Sequence, residues 1–209
     1  MEEAKARAGC DPLAGRTPRV ITGGAVGAEA RKAARRGARR HLSTQDLILI
    51  AVLLAAGAVL KLTVASFLSF AGMKPNFVIA MYCLAIILTR PNVGQALIIG
   101  ILAGLMCQIP LLNATPLVNI PSEALGALAC GLLIHLPLKA GRLDFGPFAC
   151  TFLSTVVSGY TFAILVGTMN GLGLPVILIT YAVMVFGTAA FNAILVQILA
   201  PLLRKVLKR

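Results

Sequence analysis

Glu123 and Lys74 are the two side chains whose charge and position are best suited to binding chemistry. Glu123 follows Pro121 by two residues, in the first turn of an apolar helix, and is one of two acids between Leu47 and Leu203. A carboxylate there can complement the helix dipole, or it can neutralise the ammonium of a ligand. Lys74 can anchor an interface, or it can pair with a ligand carboxylate. Together the two charges would hold a zwitterion.

Uncharged polar residues near the ends of the same apolar stretches could supply hydrogen bonds to such a ligand. Polar groups at membrane depth are costly to bury, so they tend to face a cavity or a partner. Asn119 and Asn170 could take this role, although asparagine is also an ordinary residue at the edges of loops. Tyr160 could stack on a planar ligand, although such a residue more often packs among apolar side chains. The predicted ligand-binding set is Lys74, Asn76, Asn119, Glu123, Tyr160 and Asn170.

The sequence offers no catalytic or metal-binding pattern. Its five cysteines are scattered without a CxxC spacing, and His41 and His135 are the two histidines that could join them. It contains neither an HExxH motif nor a GxxxxGK[ST] phosphate loop. We therefore expect no enzyme, no metal and no cofactor. Active transport would have to take its energy from partner subunits or from ion coupling.

Six apolar stretches must position the candidate residues. A helix needs roughly 20 apolar residues to cross a hydrocarbon core, or fewer where neighbours thin the bilayer. Backbone groups in lipid must be satisfied internally, which favours helices. The first helix should begin after the capping sequence Ser43-Thr44-Gln45-Asp46 and end at Lys61, whose ammonium would reach the outer interface. The six predicted spans are about 46–61, 76–89, 94–109, 121–137, 146–168 and 174–203.

Basic segments alternate with charge-poor gaps along these stretches, and the alternation predicts the orientation of the chain. The basic segments are the tail before Leu47, Arg90, Lys139 with Arg142, and residues 204–209. The other gaps are 63–75, 110–120 and 169–174, in which Lys74 is the one cation. Short loops rich in Lys and Arg stay in the cytoplasm. The predicted fold class is an all-α polytopic membrane protein, a six-transmembrane-helix bundle with both termini in the cytoplasm.

The chain should divide into three segments. Residues 1–45 include ten of the 19 Lys and Arg residues and show no periodic apolar pattern, so we expect a disordered cytoplasmic tail attracted to anionic lipid. Residues 46–203 should form the membrane domain, and 204–209 a basic cytoplasmic end. The formal net charge of +12 lies on membrane flanks rather than across a folded surface, so nucleic acid is not an expected partner.

Small residues recur at helical spacing on three of the predicted helices. The stripes are Ala51, Ala55 and Ala58 on the first, Ala96, Gly100 and Gly104 on the third, and Ala127 and Gly131 on the fourth. Such stripes let helix backbones approach closely in lipid. The spacing is as compatible with packing inside this chain as with docking to another membrane subunit, and it does not choose between the two.

The region 47–203 resembles the substrate-binding S component of an energy-coupling-factor (ECF) transporter, and within that group the tryptophan-transporter branch. The residues that carry the resemblance are Gly72-Met73-Lys74-Pro75-Asn76-Phe77, Ala85-Ile86-Ile87-Leu88 and the run 96–104. Where that branch usually has an acid after Lys-Pro, this chain has Asn76. The resemblance implies a small bundle that holds one ligand near the outer face of a prokaryotic plasma membrane, under the loop after the first span.

The same resemblance implies partners. It suggests docking to a membrane T subunit that is driven by two cytoplasmic ATPases, with the alanine stripe Ala51, Ala55 and Ala58 in the docking face. The predicted function is a high-affinity subunit of an ATP-driven importer for tryptophan or a related small aromatic nutrient. Alternatives are an S component for a vitamin, a stand-alone ion-coupled carrier, and a scaffold protein that would need no polar cluster.

Overall fold

The computed structural model describes residues 42–67, 76–109, 115–136, 139–140 and 143–207. This part of the chain is almost wholly helical, which confirms the all-α class. Its α-helices are α1 (Thr44–Phe67), α2 (Val78–Thr89), α3 (Val93–Met106), α4 (Asn119–Leu133), α5 (Gly146–Met169) and α6 (Leu174–Val206). A 3-10 turn, Pro116–Val118, precedes α4, and the strands β1 (Lys139–Ala140) and β2 (Leu143–Asp144) pair antiparallel before α5.

The helix ends follow local sequence signals. Ser43 and Asp46 cap α1 reciprocally: the Asp46 carboxylate accepts from the Ser43 amide at 3.0 Å, and the Asp46 amide donates to Ser43 Oγ at 3.2 Å. Arg90 ends α2 in the left-handed conformation, with φ 47°, directly before Pro91. α1 continues six residues beyond the predicted end at Lys61, a difference that matters for the site.

Among the described residues, three helices are long and apolar enough, by length and composition, to cross a membrane: the Thr44–Thr63 part of α1, α5 and α6. α2 and α3 are shorter apolar helices. Large apolar side chains remain on the surface of the longest helix, for example Ile179 and Val183 of α6, which are 77% and 72% exposed. Such a surface is typical of helices that face lipid, and the chain is a multi-pass membrane protein.

α2 is the centre of the bundle. All twelve of its residues are buried, and it contacts each of the other five α-helices. Its sequence VIAMYCLAIILT explains this position, because a helix that is apolar on every side must be covered on every side. Tyr82 and Thr89 are the polar side chains that α2 places in this core. The Thr89 hydroxyl finds its hydrogen-bond partner within the helix, because it donates to the Ala85 carbonyl at 2.8 Å.

The small-residue stripes on α3 and α4 pack against each other. A Cβ atom added at Gly100 would lie 2.6 Å from the Glu123 carbonyl oxygen, and one at Gly104 would lie 2.7 Å from the Ile120 Cα. One at Gly131 would lie 2.6 Å from the Ala96 Cβ. The absence of side chains at these glycines therefore lets the α3 and α4 backbones touch. On α1, by contrast, Ala51 and Ala55 are exposed, and Ala58 is half-buried.

Candidate functional site

Glu123 is buried inside the helix bundle. It is on α4 and is fully buried. Its carboxylate accepts a hydrogen bond from the side-chain amide of Asn76, which immediately precedes the first turn into α2. It accepts a second bond from Ser158 Oγ of α5, at 3.4 Å. A buried carboxylate requires such partners, and here they come from residues 47 and 35 positions away in the sequence.

Asn192 joins α6 to the same group. It is fully buried, and its side-chain amide donates to the backbone carbonyl of Asn76 at 3.1 Å and lies 3.5 Å from Thr155 Oγ1 of α5. The segment that holds Asn76 is therefore fixed from two sides, by a carboxylate on α4 and by an amide on α6. We refer to Glu123, Asn76, Ser158, Asn192 and Tyr82 as the Glu123 cluster.

Tyr82 brings α2 into this cluster. Its hydroxyl lies near the Glu123 carboxyl and packs against Gly126. A Cβ atom added at Gly126 would collide with this hydroxyl and would lie 2.8 Å from the Ser158 Cβ. The missing side chain of Gly126 thus leaves the space that the Tyr82 phenol occupies.

Ser154 of α5 also contacts this region. Its Oγ donates to the Gly126 carbonyl at 2.6 Å and lies 3.2 Å from Cys83 Sγ, and these contacts hold α5 against α4 and α2.

Three oxygens of the cluster are buried without a hydrogen-bond partner in the described part of the chain. They are Asn76 Oδ1, Asn192 Oδ1 and the Tyr82 hydroxyl. Buried polar atoms in folded proteins are nearly always paired, so each exception requires an explanation. Two of these three can only accept hydrogen bonds and the third can accept one. Together with the Glu123 carboxylate, the cluster therefore offers acceptors to a group rich in N–H donors.

Lys61 lies close to this cluster. It is only 3% exposed, and its ammonium donates to Cys107 Sγ at 3.5 Å, at the end of α3. Its positive charge acts on the Glu123 carboxyl through space. The prediction that Lys61 reaches the outer interface is therefore wrong. Because α1 continues to Phe67, Lys61 stands about 9 Å before the helix end and turns inward.

Of the predicted set, the structure brings Asn76 and Asn119 close to Glu123, and it adds residues that the prediction did not include. Asn119 is buried one helical turn before Glu123, and its amide lies 3.4 Å from the Thr115 carbonyl. Lys74 lies outside the described residues. Tyr82 and Asn192 lie outside the predicted set, because each falls within a long apolar run of the sequence. An ionisable residue inside an apolar span was the signal that could have identified Lys61.

Tyr160 and Asn170 make their hydrogen bonds with residues outside the Glu123 cluster. Tyr160 is half-buried between α5 and α6, where its hydroxyl lies 3.5 Å from the Leu178 carbonyl and its ring meets that of Phe186 edge to face, with centroids 6.0 Å apart. Asn170 is exposed at the end of α5, and its amide donates to the Val166 carbonyl at 2.8 Å. These contacts are local to α5 and α6, and the ligand-binding roles of both residues stay predictions.

The arrangement is suited to holding a polar organic molecule. It joins one buried carboxylate, one nearby ammonium and several neutral hydrogen-bonding groups within an apolar bundle. Within the described residues, no three His, Cys, Asp or Glu side chains gather as a metal ion would require. Opposite charges on Glu123 and Lys61, each acting on the other inside one bundle, would suit a molecule that carries both an ammonium and a carboxylate.

Comparison with known proteins identifies the family. The family model described as tryptophan transporter TrpP matches residues 43–208, a range that contains all of α1 to α6. No curated protein and no solved structure shows significant similarity to the chain.

Proposed function

This chain belongs to the TrpP family of tryptophan transporters, a family of ECF S components, and from that premise we propose that it is the substrate-binding subunit of an ATP-driven tryptophan importer. It docks to a membrane T subunit that is energised by two cytoplasmic ATPases. The exposed alanines Ala51 and Ala55, with Ala58 beside them, form part of the docking face, since small residues allow close helix contact in lipid.

The proposed topology has six crossings in a prokaryotic plasma membrane, with both termini in the cytoplasm. The alternation of basic and charge-poor gaps supports this orientation. α2 and α3 are short for a crossing, but α2 is enclosed by the other helices. A short helix at the centre of a bundle need not match the thickness of the lipid.

Glu123 binds the amino group of tryptophan in this proposal. The single observation that carries the assignment is the complete burial of this carboxylate beside the unpartnered oxygens of Asn76, Asn192 and Tyr82. An alkylammonium has three N–H donors, and the indole ring adds a fourth. A ligand with these donors would satisfy the acceptors that have no partner within the described part of the chain. The sequence assigns the ligand carboxylate to Lys74.

The first experiment measures tryptophan binding to the purified protein by titration calorimetry and identifies co-purified ligand by mass spectrometry. Glu123→Gln keeps the shape of the side chain but removes its charge. We expect it to lower tryptophan affinity roughly tenfold or more, because a charged hydrogen bond in a buried site is lost. Unchanged affinity in this variant would contradict the assignment. A vitamin in place of tryptophan in the mass spectrum would favour the vitamin S component.

The outer end of α5 provides a matched comparison. Asn170→Ala removes a polar side chain that lies at an exposed helix end, and we expect tryptophan affinity to stay within about twofold of the wild type, since surface changes are usually worth less than half a kcal/mol. A loss as large as that of Glu123→Gln would mean that the site extends to this end of the bundle.

A stand-alone ion-coupled carrier is the second candidate, because Lys61 and Glu123 are both ionisable and buried. Uptake of labelled tryptophan separates the two mechanisms. In proteoliposomes that contain the chain with its T subunit and ATPases, ATP hydrolysis should be required, and ATPases with inactivated Walker motifs should abolish uptake. Uptake by the chain alone, driven by an ion gradient, would contradict the ECF mechanism.

A further inference from the structure

Among the described residues, Lys61 has more hydrogen-bond donors than it has acceptors to fill them. An ammonium carries three N–H donors. In the described part of the chain, the one hydrogen bond of Lys61 goes to Cys107 Sγ at 3.5 Å, and a thiol is a weak acceptor. Since the side chain is only 3% exposed, bulk water does not supply the remaining acceptors. A buried cation with open donors is costly unless a further group completes its shell.

The nearest opposite charge does not complete that shell. Glu123 accepts hydrogen bonds from Asn76 and Ser158, and the Lys61 ammonium acts on it through space rather than by a direct bond. The two charges thus lie near one another, each with capacity for another partner.

An α-amino acid has the matching form. Its ammonium and carboxylate are attached to one carbon, so their counter-charges must lie close together and must be of opposite sign. Lys61 on α1 and Glu123 on α4 carry opposite charges on two different helices, and the Lys61 ammonium is near enough to act on the Glu123 carboxyl. A carboxylate accepts several hydrogen bonds, and those from an ammonium are among the strong ones, because both partners are charged.

We propose that Lys61 binds the carboxylate of the transported amino acid while Glu123 binds its ammonium. The inference rests on the proposed function and deepens it, since it makes α1, the helix that carries the exposed alanine stripe, a direct contributor to the ligand site. It also assigns to Lys61 the role that the sequence suggested for Lys74.

The test uses three ligands that differ only in their charged groups: tryptophan, tryptamine, which lacks the carboxylate, and indole-3-propionate, which lacks the ammonium. Affinities are measured by calorimetry for the full chain in detergent. In Lys61→Met, we expect tryptophan and indole-3-propionate to bind roughly tenfold more weakly or worse, whereas tryptamine should bind within about twofold of the wild type. Glu123→Gln should show the opposite pattern, with the loss confined to tryptophan and tryptamine.

Further variants separate charge recognition from folding. Lys61→Arg keeps the positive charge and should retain more tryptophan affinity than Lys61→Met, and Lys61→Gln, which keeps a hydrogen-bond donor without the charge, replaces Lys61→Met if that variant does not fold. Lys205→Met, a change of an exposed cation on α6, should leave all three affinities unchanged. Lys74→Met is measured alongside and should weaken tryptophan less than Lys61→Met does.

Several results would overturn the inference. Equal losses for all three ligands in Lys61→Met would indicate a structural role, and a selective loss of carboxylate ligands in Lys74→Met alone would assign the role to Lys74. If Lys61→Met loses nothing while Glu123→Gln loses tryptophan, the inference fails and the proposed function stands. If the wild-type protein does not bind tryptophan at all, the proposed function fails, and the inference fails with it.

Discussion

The small-residue stripes of α3 with α4 and of α1 look alike in the sequence but differ in the structure. On α3 and α4 the small residues face each other, so that Gly100 and Gly104 lie against the α4 backbone and Gly131 lies against Ala96. On α1 the residues Ala51 and Ala55 remain exposed. The first pair of stripes is used for packing inside this chain, whereas the α1 stripe is available to a partner.

The contrast between the covered and the exposed stripes shows that a small-residue motif does not by itself identify its packing partner. Spacing at i and i+4 establishes only that one side of a helix is smooth enough for close approach. Whether another helix of the same chain already covers that side depends on the rotation of each helix about its axis. Variants at the two kinds of stripe should therefore have different consequences: loss of folding at α3 and α4, and loss of assembly at α1.

The largest effect is expected from Gly100→Leu. Because an added Cβ would already meet the α4 backbone, 2.6 Å from the Glu123 carbonyl oxygen and 2.9 Å from the Ala124 Cα, a leucine would force the helices apart and cost about 3 kcal/mol. Thermal unfolding in detergent measures this loss. Gly94→Leu on the same helix is the control, since nothing lies within 4 Å of its added Cβ. Equal melting temperatures for the two variants would contradict the packed interface.

A smaller loss of about 2 kcal/mol is expected from Gly131→Ala. Here the obstacle is a methyl group, since the new Cβ would lie 2.6 Å from that of Ala96. Adding Ala96→Gly removes this methyl and should restore part of the stability. In a double-mutant cycle on the unfolding free energies, the variant with both substitutions should therefore lose less stability than the sum of the losses of the two single variants. Strictly additive losses would mean that the two positions do not meet.

Ala55→Leu tests the exposed stripe. Since the side chain is on the surface, we expect the unfolding free energy to change by less than about 0.5 kcal/mol. Association with the T subunit and ATPases should weaken roughly fivefold, about 1 kcal/mol, because a larger side chain blocks close approach. The measurement is quantitative co-purification with the T subunit and ATPases. The control is Ala56→Leu, since Ala56 is also exposed but does not belong to the stripe. The same affinity for both variants would remove α1 from the docking face.

The smallest effect is expected from Gly187→Ala on α6. Nothing lies within 4 Å of the added Cβ, and alanine restricts the unfolded chain more than glycine does, so the variant should gain about 0.5 kcal/mol of stability. Melting temperature is again the measurement. A clear loss of stability would show that this glycine, like Gly100, is covered by a helix.

The sequence predicted the helices better than their contacts. Apolar runs and local signals such as Ser43 with Asp46 located five of the six helices to within a few residues, and Glu123, which the sequence singled out as an acid in an apolar span, is fully buried. Lys61 was misplaced because the end of α1 was set at this residue. A lysine at a helix end can extend outward, whereas one that is a turn and a half inside the helix must be accommodated by its neighbours.

The sequence by itself determined that this chain is a set of apolar helices, which residues could carry charge among them, and that the chain resembles a tryptophan-transporter S component. These properties follow from composition, from local capping and from backbone hydrogen bonds that each helix makes within itself. Only the tertiary structure decided that Asn76, Ser158 and Asn192 meet around Glu123, and that two stripes are covered while one is exposed. Contacts such as that from Asn192 to Asn76 join residues 116 positions apart, and they depend on the side each helix turns toward the centre.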